Sequence, residues 1–254
     1  MSKKVLPSTT NDILFEYLQV GESTPTILFF NGFRMRLESW DKVYAPLSPT
    51  ASMLLFNRLG VGHSCKADKN QDAKTVVEAV HDMVVELNIQ IPYILVAHSL
   101  GGIFVNLYAR TYPCEVGGVV FVEASHPDEI AKQRAHRIPA WISVSNEAIK
   151  KIENFFDPFK YSEDESILES IEQISTANVF PDIPIAVVTG TNNMPFAPKE
   201  PFEIHLNHQM KLLELSSDST QFLCQESGHF PQITQPKIVI EAINFIIDKC
   251  GSSI

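Results

Sequence analysis

Residues 93–102 read YILVAHSLGG: an apolar run of strand length, a serine between small residues, then the start of a helical pattern. A strand that turns sharply into a helix crowds its own backbone, so small residues flank the turn, and Ser99 Oγ is left exposed at the helix N-terminus. A hydroxyl placed there is a nucleophile once a neighbouring base takes its proton. The base expected is His229, in the Ser227-Gly228-His229 loop just after the last strand-like run. His63, His81, His98, His126, His136, His205 and His208 have no such placement and read as surface, packing or pocket-lining residues. The competing role for Ser99, a hydroxyl that caps a helix, explains less of the pattern around it. The backbone N–H of Leu100, next to the nucleophile, is one donor for the charge that would develop on a carbonyl oxygen.

These groups need elements to hold them. Strand-like apolar runs fall at Ile13–Leu18, Thr26–Phe30, Met53–Asn57, Tyr93–Ala97, Val119–Glu123, Ile185–Thr189 and Gln221–Gln225, with helical periods at Asp72–Leu87, Gly102–Thr111 and Lys237–Lys249 between or after them. Short apolar strands alternating with amphipathic helices predict an α/β fold, a mostly parallel sheet with helices on both faces. Residues 125–182 break the rhythm. They hold charged, helix-compatible pieces (Asp128–Arg137, Glu147–Phe156, Glu163–Ser175) punctuated by Pro139 and Pro158, and no strand. The expected organisation is therefore a core of residues 1–124 and 183–254 with a helical cap insertion over 125–182, too short to build a large core of its own.

The chain resembles the α/β-hydrolase fold family over nearly its whole length. AHSLGG resembles that family's Gly-x-Ser-x-Gly elbow, with Ala97 where the first Gly would stand. FFNGF (residues 29–33) is similar to its strand followed by His-Gly-x, with Asn31 in place of His. NRLGVGHS (residues 57–64) is similar to its Asp-x-x-Gly-x-Gly-x-Ser turn, and Ser227-Gly228-His229 before a final helix to its catalytic histidine loop. The resemblance implies a serine hydrolase working through an acyl-enzyme, with Ser99 as nucleophile, His229 as base, and the Phe33 N–H as second donor of the oxyanion hole beside Leu100.

It also implies an acid, most often in the loop after the strand that here ends at Thr189. That loop reads TGTNNM and offers Asn193, an amide that can orient a histidine ring but cannot balance its charge. Some members of the family take the acid from the end of the preceding strand. Here VVFVEASHPDE places Glu123 at the end of an apolar run, where burying a carboxylate without a partner is costly. Glu123 is the acid preferred; Asp128 is the alternative, though it also reads as a first-turn charge of the next helix, and a triad lacking an acid is the third possibility.

Twenty basic against thirty acidic residues, a net charge of −10, argue against non-specific binding to nucleic acid or to an anionic membrane surface. No apolar run approaches the ~18 residues of a membrane span, and no signal-peptide pattern follows the first lysines, so the expected location is cytoplasmic. Four scattered cysteines lack any metal-ligand spacing; no metal and no cofactor is expected, the partner is a small-molecule substrate, and oligomeric state is open. Trp141, Phe155, Phe156, Phe159, Tyr161 and Phe33 suggest a pocket for an apolar group, or packing of the insertion onto the sheet. A carboxylic ester of small or medium size is the leading substrate class, with amidase, peptidase, thioesterase, carbon–carbon hydrolase and lyase chemistry open within the same fold. The rival from another class is a non-catalytic binding or signalling protein on the same scaffold.

Overall fold

The computed structural model describes residues 4–7, 14–21, 24–49, 51–135, 153, 157–192 and 199–251. Among these, eight strands form one sheet: β1 (Lys4–Pro7), β2 (Leu14–Val20), β3 (Thr26–Phe30), β4 (Ser52–Asn57), β5 (Tyr93–His98), β6 (Val116–Val122), β7 (Ile185–Gly190) and β8 (Ser219–Cys224). Their order across the sheet is β1-β2-β4-β3-β5-β6-β7-β8. β1 and β2 run antiparallel at one edge, and every pair from β4 to β8 is parallel. The continuous apolar runs TILFF and YILVAH follow from this, because central parallel strands are covered on both faces; every residue of β3, β4, β5 and β7 is buried.

The helices described are α1 (Asp41–Leu47), α2 (Ala73–Glu86), α3 (Gly101–Thr111), α4 (Pro127–Ala135), α5 (Ser162–Glu165), α6 (Ile167–Thr176), α7 (Lys199–Leu213), α8 (Pro231–Thr234) and α9 (Pro236–Gly251). Asp72 caps α2, its Oδ1 accepting the Thr75 N–H at 3.0 Å. Val76, Val77, Val80 and Val84 of α2 and the buried face of α3 form one core layer with alternate residues of the central strands. α1 and α9 form the other layer, with Ile243 and Ile246 of α9 fully buried.

Several expectations move. The strand expected at Val119–Glu123 starts earlier and stops at Val122, which leaves Glu123 just past its end in left-handed backbone (φ 48°). Pro236 begins the last helix rather than preceding it, as the free N–H position at a helix start allows. The stretch Glu163–Ser175 is two helices, α5 and α6. α6 packs on α2 and α3, with Ile167, Ile174 and Phe180 in the sheet-side core. Its Ser170 hydroxyl accepts the Ala73 N–H at 2.9 Å, so this part of the 125–182 segment is built into the core layer. Strand β1 and helix α7 have no counterpart in the periodicity reading.

The strand order sets the place for a site. β3 connects to β4 on one side and β5 to β6 on the other, so the loops leaving the carboxyl ends of β3 and β5 diverge. In open α/β sheets that divergence is where a ligand crevice opens.

Candidate active site

β5 runs into α3 through Ser99, whose φ of 50° is the strained left-handed conformation of a tight strand-to-helix turn. The turn is pinned from both sides: the Ser99 N–H donates to Val122 O at 3.3 Å, and its carbonyl accepts the Ser125 N–H at 2.9 Å. The second residue after Ser99 has no room for a side chain. A Cβ on Gly101 would lie 2.5 Å from the Phe30 carbonyl oxygen and 2.9 Å from that of Asn31, both backbone atoms of the neighbouring strand end. Gly101→Ala is expected to destabilise the fold by about 1–3 kcal/mol, the usual cost of overpacking; a thermal midpoint equal to the parent's would contradict that close approach.

The loop after β8 brings His229 over this turn. Its Nε2 lies 3.0 Å from Ser99 Oγ, and its Nδ1 lies 3.4 Å from Glu123 Oε2. His98, beside the serine and buried, uses its Nε2–H to hold the His229 carbonyl at 2.7 Å. Burial and the nearby His229 push the His98 pKa down to about 3, which keeps that ring neutral and a single-proton donor.

Glu123 is 3% exposed, and both of its oxygens are engaged. Oε1 accepts the Gly190 N–H at 2.6 Å. Oε2 is shared between His229 Nδ1 and His205 Nε2, the latter nearer at 3.0 Å. His205, on α7, places its other nitrogen 2.7 Å from Glu129 Oε1 on α4. The five side chains thus form a chain of contacts, Glu129–His205–Glu123–His229–Ser99.

Burial alone would raise the Glu123 pKa, but the hydrogen bonds from His205 and His229, the His205 charge and the Gly190 N–H outweigh it and bring it down to about 2. For His205 burial works downward, and the bonds and charges of Glu123 and Glu129 overcome it, lifting it to about 10. At neutral pH the group is a carboxylate, an imidazolium and a carboxylate, with net charge −1 beside His229. Glu129 thereby restores the negative charge that His205 would otherwise cancel.

Leu100 directly follows Ser99, and Phe33 lies in the loop after β3. Among the described residues, neither the Leu100 N–H nor the Phe33 N–H donates to a protein acceptor. The loop carrying Phe33 is fixed by buried Arg58, whose guanidinium donates to Asn31 O at 2.7 Å and Gly32 O at 3.0 Å while pairing with Glu163 at 2.5 Å. The Asn31 side chain accepts the Trp40 indole N–H at 2.8 Å and donates to Phe56 O at 2.9 Å. Asn31 is therefore part of the loop's frame.

Asp128 is exposed, and its carboxylate meets Lys211 Nζ at 2.8 Å and not His229. Asn193, Trp141, Phe155, Phe156 and His136 lie outside the described residues. Phe33 and Tyr161 face one another with ring centres 6.4 Å apart, and the Arg34 guanidinium lies over Tyr161. His205, Glu129, His98 and Arg58 are the parts that the sequence reading left without a role here. His98 was signalled by its place inside the elbow, and Arg58 by its place in the NRLGVGHS turn. A cavity of about 350 Å³ bordered by Gln19, Thr26, Met53 and Ile89 opens at the opposite ends of the strands and shares no residue with this group.

The α/β-hydrolase fold model matches residues 25–145. That match and the solved structures below give the chain the α/β-hydrolase fold. Among curated proteins it is similar to uncharacterized YqjL of Bacillus subtilis, 22% identical over 225 residues that cover 88% of this chain and 83% of that protein. It is also similar to an uncharacterized protein of Schizosaccharomyces pombe, 32% identical over 78 residues; that match covers 31% of this chain and 15% of the relative's length. Among solved structures, a thermophilic esterase from Thermogutta terrifontis superposes with a TM-score of 0.63 at 17% identity, covering 98% of this chain and 99% of that one. A haloalkane dehalogenase variant from Bradyrhizobium elkanii gives a TM-score of 0.69 at 16% identity, covering 100% and 99%. No helix among the described residues is long and apolar enough to cross a membrane.

Proposed function

We propose that the chain is a serine hydrolase that cleaves a small or medium-sized apolar carboxylic ester through an acyl-enzyme intermediate. The observation that carries this reading is the uninterrupted contact from buried Glu123 through His229 to Ser99 Oγ, on a strained turn whose next N–H, that of Leu100, donates to no protein acceptor among the described residues.

In this reading His229 Nε2 takes the Ser99 proton as Oγ attacks the ester carbonyl. The carbonyl oxygen becomes an oxyanion held by the N–H groups of Leu100 and Phe33, an arrangement worth ~3 kcal/mol per donor in the barrier. The imidazolium formed is stabilised by Glu123 and then gives its proton to the leaving alcohol. Water, deprotonated by His229, attacks the acyl-serine, and the proton returns to Ser99 as the acid leaves. The rings of Phe33 and Tyr161, next to the Phe33 donor, support an apolar acyl or alcohol group. A serine in place of the aspartate that dehalogenases of this fold use as nucleophile favours acyl transfer over halide displacement.

The test is covalent labelling with a fluorophosphonate. The folded parent is expected to take one label, on Ser99; Ser99→Ala takes none, and His229→Ala reacts far more slowly. A folded parent that takes no label defeats the proposal, and a panel of p-nitrophenyl esters of increasing acyl length then reads the substrate range.

A further inference from the structure

The seam between α4 and α7 carries three metal-ligating side chains outside the Ser99 group: His126 just before α4, Asp128 in its first turn, and His208 on α7. One ligand atom from each lies within 4.8 Å of the other two. His208 is 2% exposed, and its Nδ1–H donates to the Ile204 carbonyl at 2.6 Å. That bond fixes the tautomer and leaves a lone pair on Nε2, which is buried and has no hydrogen-bond partner among the described residues. An unmet buried acceptor costs about 1–3 kcal/mol. A histidine whose other nitrogen is tied to a backbone carbonyl is oriented as metal-bound histidines are.

The His126 ring faces His208 at 5.5 Å between centres. His126 Nδ1 accepts the Asp128 N–H at 3.1 Å, a bond at an exposed helix start that a metal bond can replace. Asp128, 57% exposed, closes the open side; its contact with Lys211 is an exposed pair of small worth. Ligand atoms around a four-coordinate Zn²⁺ lie about 3.4 Å apart, so a rotamer change at Asp128 is needed to bring the set together.

We propose that His126, Asp128 and His208 bind one divalent transition-metal ion of the Zn²⁺ class, with water completing its shell. Two imidazoles and one carboxylate suit such ions, whereas Mg²⁺ and Ca²⁺ prefer all-oxygen shells. The ion would clamp α4 to α7, the two helices that supply Glu129 and His205, and would stabilise the folded state by mass action. The inference is independent of the acyl-transfer reading.

Zn²⁺ is titrated into tag-free full-length protein against a chromophoric chelator, with thermal unfolding followed in parallel and Mg²⁺ and Ca²⁺ as comparison ions. The parent is expected to bind one Zn²⁺ per chain and to melt higher with it, and not to respond to Mg²⁺ or Ca²⁺. His126→Ala and Asp128→Asn, at less buried positions than His208→Ala, are each expected to weaken Zn²⁺ binding by about tenfold or more. Ser99→Ala binds like the parent whether or not the protein hydrolyses esters. If the parent binds no Zn²⁺, if His126→Ala and Asp128→Asn bind it equally well, or if Mg²⁺ or Ca²⁺ serves as well, the site is overturned; water alone then satisfies His208.

Discussion

Glu123→Gln lowers kcat/KM toward a carboxylic ester by about a thousandfold to ten-thousandfold, the scale seen when the acid of a serine triad becomes an amide. The glutamine keeps the shape and can still accept the Gly190 N–H, so the β6–β7 junction is preserved. What disappears is the charge facing His229 Nδ1. An amide gives the growing imidazolium no compensating negative charge in a partly buried site, where such charge counts for more than in water. His205 makes the loss worse. Its proton, held by two carboxylates in the parent, now lies beside a neutral Glu123→Gln side chain and opposes a second positive ring. Asp128→Asn, assayed alongside, loses far less activity, because its carboxylate faces Lys211. Steady-state kinetics on both variants decides it, and comparable losses would remove Glu123 from the role proposed.

The strands that position this acid are legible in the sequence because of where they lie. TILFF, MLLF, YILVA and IPIAVV are central strands covered on both faces, so continuous apolar runs mark them without any need for alternation. Glu123 stands out for the converse reason, as a carboxylate that ends such a run and is buried there. Helix α7 is hidden because of what it buries. KEPFEIHLNHQMKLL turns His208, Gln209 and Leu212 inward, only one of them apolar, so no hydrophobic stripe announces the helix. Gln209 ties it to the sheet through a 2.7 Å bond to Ala124 O, and His205 docks on two carboxylates. Such a helix is held by polar partners supplied from residues 123–129, and periodicity cannot report them. Strand β1 is missed for a simpler reason, being four residues at the sheet edge. The carboxylate that faces His229 comes from just past the end of β6.

Removing the ring that links the two carboxylates has the larger structural consequence. His205→Ala leaves Glu123 and Glu129, 3% and 4% exposed, without the cation between them. Breaking a buried pair from one side costs about 3–5 kcal/mol, and one of the carboxyls is expected to take up a proton instead. The effect depends on pH in a fixed direction. His205 is raised from 6.5 to about 10 on folding, so its contribution is complete below pH 6.5 and is lost as pH rises toward 10. Glu123 is lowered from 4.5 to about 2, so the same interaction, seen from the acid, is complete above pH 4.5 and is lost as pH falls toward 2. Urea unfolding of parent and variant should therefore differ most between these windows, from pH 4.5 to 6.5, with a gap that narrows on the alkaline side. A gap that is constant, or that widens with rising pH, would mean that His205 is held as a neutral packing residue. Glu129→Gln separates charge from structure. It keeps a hydrogen-bond acceptor for His205 Nδ1, yet it takes the net charge beside His229 from −1 to zero, so kcat should fall while stability changes less than in His205→Ala.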